Sequence, residues 1–162
     1  MFPFSNSKKK KVIGLPYDPA LDVWAVGCTL YELYTGKILF PGKNNNHMLK
    51  LFMEVRGKMS HKMIKKGEFG AMHFDENFNF ISKEIDKFTQ KEILKKIPIS
   101  KPVRELSTLL APNSKMNEEE KTSLKNFVDL LEKCFSLNPE KRITPREALA
   151  HPFLLKQKPK QN

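Results

Sequence analysis

Between Leu21 and Tyr34 the chain carries Leu21, Val23, Trp24, Ala25, Val26, Cys28, Leu30, Tyr31, Leu33 and Tyr34, so a helix here is apolar on nearly every face. Such a helix is stable only when it is surrounded, which predicts a central element onto which others pack. Asp18 and Pro19 supply its start, Asp by capping free N–H groups and Pro by fitting the first helical position. Gly36 supplies its stop. With 40% apolar residues among 162, the chain has material for one domain with a core.

After the Pro41-Gly42 turn, a second helix is predicted from Asn45 to Arg56, with an Asn cap and Gly57 as the stop. Its Met48, Leu49, Phe52 and Val55 form one stripe, the pattern of a one-sided, surface-packed helix. Residues 58–116 mix both signs of charge with short apolar groups and prolines at 98, 102 and 112. They read as a long insertion with little regular structure apart from a short helix near Thr89 to Ile97. A segment of that kind is uncommon in a compact domain unless it is functional or mobile. Asn117 and Glu120 then resemble a capping box, although a start near Thr122 fits equally well. Leu124, Phe127, Val128, Leu131, Cys134 and Phe135 follow as an amphipathic stripe that Asn138-Pro139 ends. Thr144-Pro145-Arg146-Glu147 opens a fourth helix, closed by His151-Pro152, and Phe153, Leu154 and Leu155 are expected to dock on the core. No strand pattern stands out. The predicted fold is all-α: a central buried helix, surface helices and the insertion. Residues 1–11, with Lys8 to Lys11, are expected to be a flexible basic head, and 156–162 a polar tail.

The net charge of +11, from 29 Lys+Arg against 18 Asp+Glu, favours anionic partners. The lysines are spread widely, and no aromatics interleave with their clusters at base-stacking spacing, so nucleic acid is not expected to be the main ligand. No apolar stretch is long enough to cross a bilayer, and Met1-Phe2-Pro3-Phe4 is too short for a signal peptide. The expectation is a soluble intracellular protein with no membrane partner. Cys28 and Cys134 lack metal-ligand spacing and sit in apolar helical patterns, which fits buried reduced thiols. His47, His61, His73 and His151 share no i, i+4 spacing, so no metal site is expected. Asp75-Glu76 and Glu118-Glu119-Glu120 read as solvated charges and helix-start residues, and Gly67-Glu68-Phe69-Gly70 as a loop turn.

Four segments carry a resemblance in a fixed order: Asp22-Val23-Trp24-Ala25-Val26-Gly27-Cys28, Leu39-Phe40-Pro41-Gly42, Leu137 through Thr144, and Ala148-Leu149-Ala150-His151-Pro152-Phe153. Together they resemble the C-terminal part of the protein-kinase large lobe, over about residues 13–155, within a partial lobe set at 12–155. Leu39-Phe40-Pro41-Gly42 followed by a long insertion resembles the group of cyclin-dependent, MAP and SR-protein kinases. Tyr31 through Lys43, Asn45 through Leu51, Gly57 through Ile64 and His73-Phe74-Asp75 are similar to the pre-mRNA-processing factor four kinases. That family phosphorylates serine and threonine in splicing proteins in the nucleus, so the resemblance implies a nuclear location and splicing factors as protein partners.

The resemblance also implies structural-support roles. Asp22 would accept hydrogen bonds from backbone amides of a catalytic loop, while Trp24 and Gly27 share its helix, Trp24 as core packing. Arg142 would pair with the glutamate of an Ala-Pro-Glu run. Ala25 stands where the family usually has Ser. Val12 through Asp18 would follow that Ala-Pro-Glu run, yet Lys8 to Lys11 occupy its place. An unpaired buried charge is costly, so Arg142 is expected to face solvent or find another carboxylate. Phosphoryl transfer in this family uses a Gly-rich loop, a strand Lys, a catalytic-loop Asp and Asn, and a metal-holding Asp. None of G-x-G-x-x-G, V-A-I-K, H-R-D or D-F-G occurs here. No catalytic, cofactor or metal residue is assigned, ATP and Mg²⁺ belonging to the full-length family. The expectation is a truncated Ser/Thr kinase that is inactive as this chain, with part of its first helix uncovered. The alternative is a non-catalytic module that docks proteins through the 58–116 insertion.

Overall fold

The computed structural model describes residues 20–112 and 115–155. The basic head, the Asp18-Pro19 helix start and the polar tail lie outside them. Helix α1 (Ala20–Thr35) is followed by α2 (Asn45–Arg56), a short α3 (His61–Lys66), strands β1 (Phe80–Ile85) and β2 (Glu92–Ile97), and α4 (Leu106–Leu109). The long α5 (Glu118–Cys134) and the short α6 (Pro145–Leu149) and α7 (Pro152–Leu155) complete the order.

Helix ends follow the local chemistry closely. Asn44 caps α2 by accepting from the His47 N–H, and Gly57 ends it at φ 78°, a conformation that favours glycine. Asn117 and Glu120 form both bonds of a capping box at the start of α5, which settles the start at Glu118 rather than Thr122. Thr144 and Glu147 form a second box at α6, with Pro145 at the first helical position.

Helix dominates the described residues, in rough agreement with the all-α expectation, and one small two-stranded sheet is added to it. β1 and β2 form an antiparallel hairpin with Phe80 opposite Ile97 and Ile85 opposite Glu92. The helix expected over Thr89 to Ile97 is therefore a turn followed by a strand. Asp86 accepts from the N–H groups of Phe88 and Thr89 and from the Thr89 hydroxyl, closing the turn. The run Glu92-Ile93-Leu94-Lys95-Lys96-Ile97 is read as helix or strand by its surroundings, and cross-strand pairing selects strand. The insertion as a whole is likewise more regular than its composition suggests, because α3 and the hairpin close over a core of their own.

That second core corrects the reading of α2. Leu51 and Val55 enter a core with Tyr31, Leu39, Phe40, Leu106, Leu110, Phe127, Leu131 and Phe135. Leu49 and Met53 enter another, with Met59, Met63, Ile64, Phe74 and Phe80. α2 is buried on two sides, not one, and joins the insertion to the rest. A third, smaller cluster of Val23, Leu130, Cys134 and Ile143 lies between α1 and α5.

α1 is not enclosed on all sides. Val23, Gly27 and Tyr31 are its buried positions, whereas Val26, Leu33 and Tyr34 are 54%, 77% and 48% exposed. Among the described residues, α5 and the Phe40 region cover one face and nothing covers the opposite one. Of the C-terminal apolar residues, Phe153 docks against Phe127 at 4.9 Å between ring centroids, while Leu154 and Leu155 are exposed.

Gly27 sets how closely α1 and α5 approach. A Cβ there would lie 2.9 Å from Phe135 Cε1 and 3.0 Å from Cys134 Cβ, both on fully buried side chains. Gly27→Ala would gain up to ~1 kcal/mol of helix propensity against an overpacking cost of ~1–3 kcal/mol. The neighbours have no room to yield, so net destabilisation is the expected result, read as a lower denaturation midpoint at unchanged m-value.

Candidate functional site

Two places concentrate polar chemistry: the crossing of α1 with the end of α5, and the seam between α2 and the insertion. At the first, the chain leaving α5 turns through Asn138, whose side chain accepts from Glu140 N–H and caps a 3₁₀ turn at Pro139–Lys141. That turn delivers Arg142. Its Nε and Nη2 donate to the Ser136 carbonyl at 3.0 and 2.9 Å, and Nη1 donates to the Ala20 carbonyl at 2.7 Å. The guanidinium lies 5.0 Å above the Trp24 ring. Arg142 is thus held by main-chain carbonyls and an aromatic face rather than turned out to solvent. A planar cation with five donors suits that combination.

Trp24 is the hub of the aromatic cluster. It stacks on Phe40 at 5.5 Å and meets Phe52 and Phe135 edge-on at 4.7 and 5.1 Å. The structure therefore brings three of the four support residues, Trp24, Gly27 and Arg142, to one crossing. Asp22 stands apart in the first turn of α1, exposed, with no hydrogen bond or ion pair from the described residues. Cys28 and Cys134 are free thiols, pushed up to about 11 chiefly by burial.

Sequence patterns did not reveal the second place. Asn46 is buried in α2 and bonds the outer edge of β1 with both ends of its amide. Nδ2 donates to the Ile81 carbonyl at 2.8 Å, and Oδ1 accepts from the Lys83 N–H at 2.8 Å. Nδ2 also lies 3.2 Å from His73 Nδ1, and the His73 carbonyl accepts from the Ile81 N–H. No signal in the sequence marks it, because Asn46 stands in the polar run Asn44-Asn45-Asn46-His47 at the helix start. Glu84 adds a charged stitch by accepting from Lys50 of α2 and Lys95 of β2, which lowers its carboxyl to about 2. Asp75 is not simply solvated. It accepts from the N–H groups of Asn79 and Asn77, from the Asn79 side chain, and from Lys96; these bonds, those from Asn79 foremost, lower it to about 2. A third polar group ties the C-terminus to α5. Buried His151 bonds Asp129 through Nε2 at 2.8 Å while Nδ1 accepts from Phe153 N–H.

Burial, with help from Lys83, lowers the His73 imidazole below its usual 6.5. Above that value both folded and unfolded states hold it neutral. As pH falls through 6.5 the unfolded chain takes up the proton first, so stability is lost towards acid. We expect the denaturation midpoint to drop between about pH 7.5 and about pH 5.5. An NMR titration should place the His73 midpoint below 6.5; a midpoint at or above that value removes the effect.

Among the described residues no group of three or more His, Cys, Asp or Glu converges as metal ligands. Asp75, Glu84 and Asp129 are each engaged with lysines. These residues do not fit a Mg²⁺–nucleotide site. No helix of the described residues is long and apolar enough to cross a membrane.

The comparisons with known proteins bear on this arrangement directly. The protein kinase domain model matches residues 11–154. The chain belongs to the protein-kinase family. It is 48% identical over 145 residues to the serine/threonine-protein kinase prp4 of Schizosaccharomyces pombe, covering 90% of this chain and 30% of that protein. It is 49% identical over 146 residues to the serine/threonine-protein kinase prpf4B of Dictyostelium discoideum, covering 88% of this chain and 18% of that protein. Extracellular signal-regulated kinase 1 of Candida albicans is 34% identical over 140 residues, covering 85% of this chain and 30% of its own length. The chain thus spans less than a third of each of these relatives.

Proposed function

We propose that this chain is the C-terminal, supporting part of the large lobe of a Ser/Thr kinase of the splicing-associated type, and that by itself it does not transfer phosphoryl groups. The observation that carries the reading is the Arg142–Trp24 crossing, whose two side chains come from separate family-like segments. In this reading the free carboxylate of Asp22, exposed at the start of α1, faces a catalytic loop. Arg142 holds the base of the lobe together through the Ala20 and Ser136 carbonyls and the Trp24 ring. The same reading puts the chain in the nucleus, among splicing proteins. ATP-dependent labelling of a splicing substrate by the pure chain, free of contaminating kinase, tests the inactivity, and sustained labelling would remove it.

A second reading is favoured by the order of the insertion. A segment with its own core, latched to α2 by buried Asn46, is a preformed surface on which a protein partner can dock. Capture of nuclear proteins by the chain should weaken when surface residues of 58–116 are altered; capture that ignores every such change speaks against docking there.

A further inference from the structure

The two edges of the β1–β2 hairpin are treated differently. The Ile81 and Lys83 N–H groups and the Ile81 carbonyl point away from β2, to His73 and Asn46. Ile81–Lys96 and Lys83–Leu94 are therefore non-hydrogen-bonded pairs of the antiparallel ladder. By the same alternation, Leu94, Lys96 and Glu92 aim their own N–H and C=O groups outward from β2. Among the described residues nothing accepts from or donates to those groups. One edge of the hairpin is sealed and the other is open.

Cross-strand partners share a face, so Leu94 lies beside Ile81 and Ile85 on the side of the hairpin turned away from α2. Leu94 is 64% and Ile85 59% exposed, and Phe88 at the turn is 96% exposed. Ile81 and Lys96 also line an open cleft of about 710 Å³ that reaches Phe74 and Phe78. Phe78 is held at φ 59° with His61 stacked 4.3 Å away, which fixes one wall of that cleft. Lysines on an edge commonly serve to repel other strands. An edge on which exposed Leu94 stands beside them, next to a cleft, is a poor repellent. Lys83, Lys87, Lys91, Lys95 and Lys96 of the hairpin outnumber its Glu84, Asp86 and Glu92, so the local field favours a negatively charged strand.

We propose that the outer edge of β2 is a strand-addition site for an extended peptide segment that alternates apolar and acidic residues. Main-chain bonds to Leu94 and Lys96 would supply affinity, and the apolar side chains would lie along Leu94, Ile85 and the cleft. The proposal rests on the docking reading above and gives it a mode.

The test uses the full chain and a fluorescent octapeptide alternating Glu and Val. Binding should fall about tenfold when the peptide is N-methylated on alternate residues, in one of the two possible frames. It should fall similarly for Leu94→Pro, which removes an outward N–H and leaves the inner ladder intact. The N-methylated peptides test the contact without altering the protein. Equal binding by an all-Glu peptide, or indifference to N-methylation in both frames, would reduce the effect to charge and overturn the proposal. So would no binding, or a concentration-dependent dimer that Leu94→Pro abolishes, since the edge would then belong to a second copy. If the peptide fails while nuclear partners still depend on 58–116, docking stands and strand addition does not.

Discussion

Phe135→Ala is expected to destabilise the chain by about 3–5 kcal/mol, as truncation of a buried Phe does when the site cannot collapse. Phe135 is 0% exposed and lies where three contacts meet. Its ring is edge-on to Trp24 at 5.1 Å and to Phe40 at 5.6 Å, and it touches the place where Gly27 lacks a side chain. Collapse is resisted because the surrounding rings belong to α1, the segment before α2, and α2 itself. A loss of this size is a large fraction of the ~5–15 kcal/mol that stabilises an ordinary domain. Denaturant titration should show either a much lower midpoint or no cooperative transition. A change below about 1 kcal/mol would mean that the crossing relaxes freely and is not the structural centre described here.

Asn46→Ala is expected to cost about 2–4 kcal/mol and to act locally. The substitution leaves the Ile81 carbonyl and the Lys83 N–H without their partner, and each buried orphan costs about 1–3 kcal/mol. The effect should be read by amide hydrogen exchange rather than by global melting alone. Protection should fall across β1 and β2 while amides in the centre of α5 keep theirs, because Asn46 latches only the insertion. Uniform loss along the chain would show that the two cores open together. Asn46→Asp gives a useful comparison: it keeps the acceptor for Lys83 N–H and loses the donor to Ile81.

How much of this was legible beforehand depended on whether the signal was local. Caps were readable because Asn44, Asn117 and Thr144 each act on N–H groups within three residues. The support residues Trp24, Gly27 and Arg142 came from family-like segments, and the structure brings them together. An apolar helix pattern says which faces of α1 need partners but not which partners the described residues provide, and the exposure of Val26, Leu33 and Tyr34 fits the expectation that part of the helix is uncovered. The hairpin was missed because Glu92 through Ile97 owes its form to Phe80 through Ile85 and to Asn46, contacts far away in sequence. For Arg142 only charge was considered beforehand; among the described residues main-chain carbonyl oxygens and a ring face take part in holding it.

α2 has one further consequence. Leu49 and Leu51 are the same residue type, two positions apart, yet they serve different cores. A change of volume at one need not be answered at the other. Apart from Phe52, which packs against both cores, the helix therefore works as a partition: the insertion can be re-tailored for a new partner by drift on its own side, while the aromatic centre around Trp24 stays as it is.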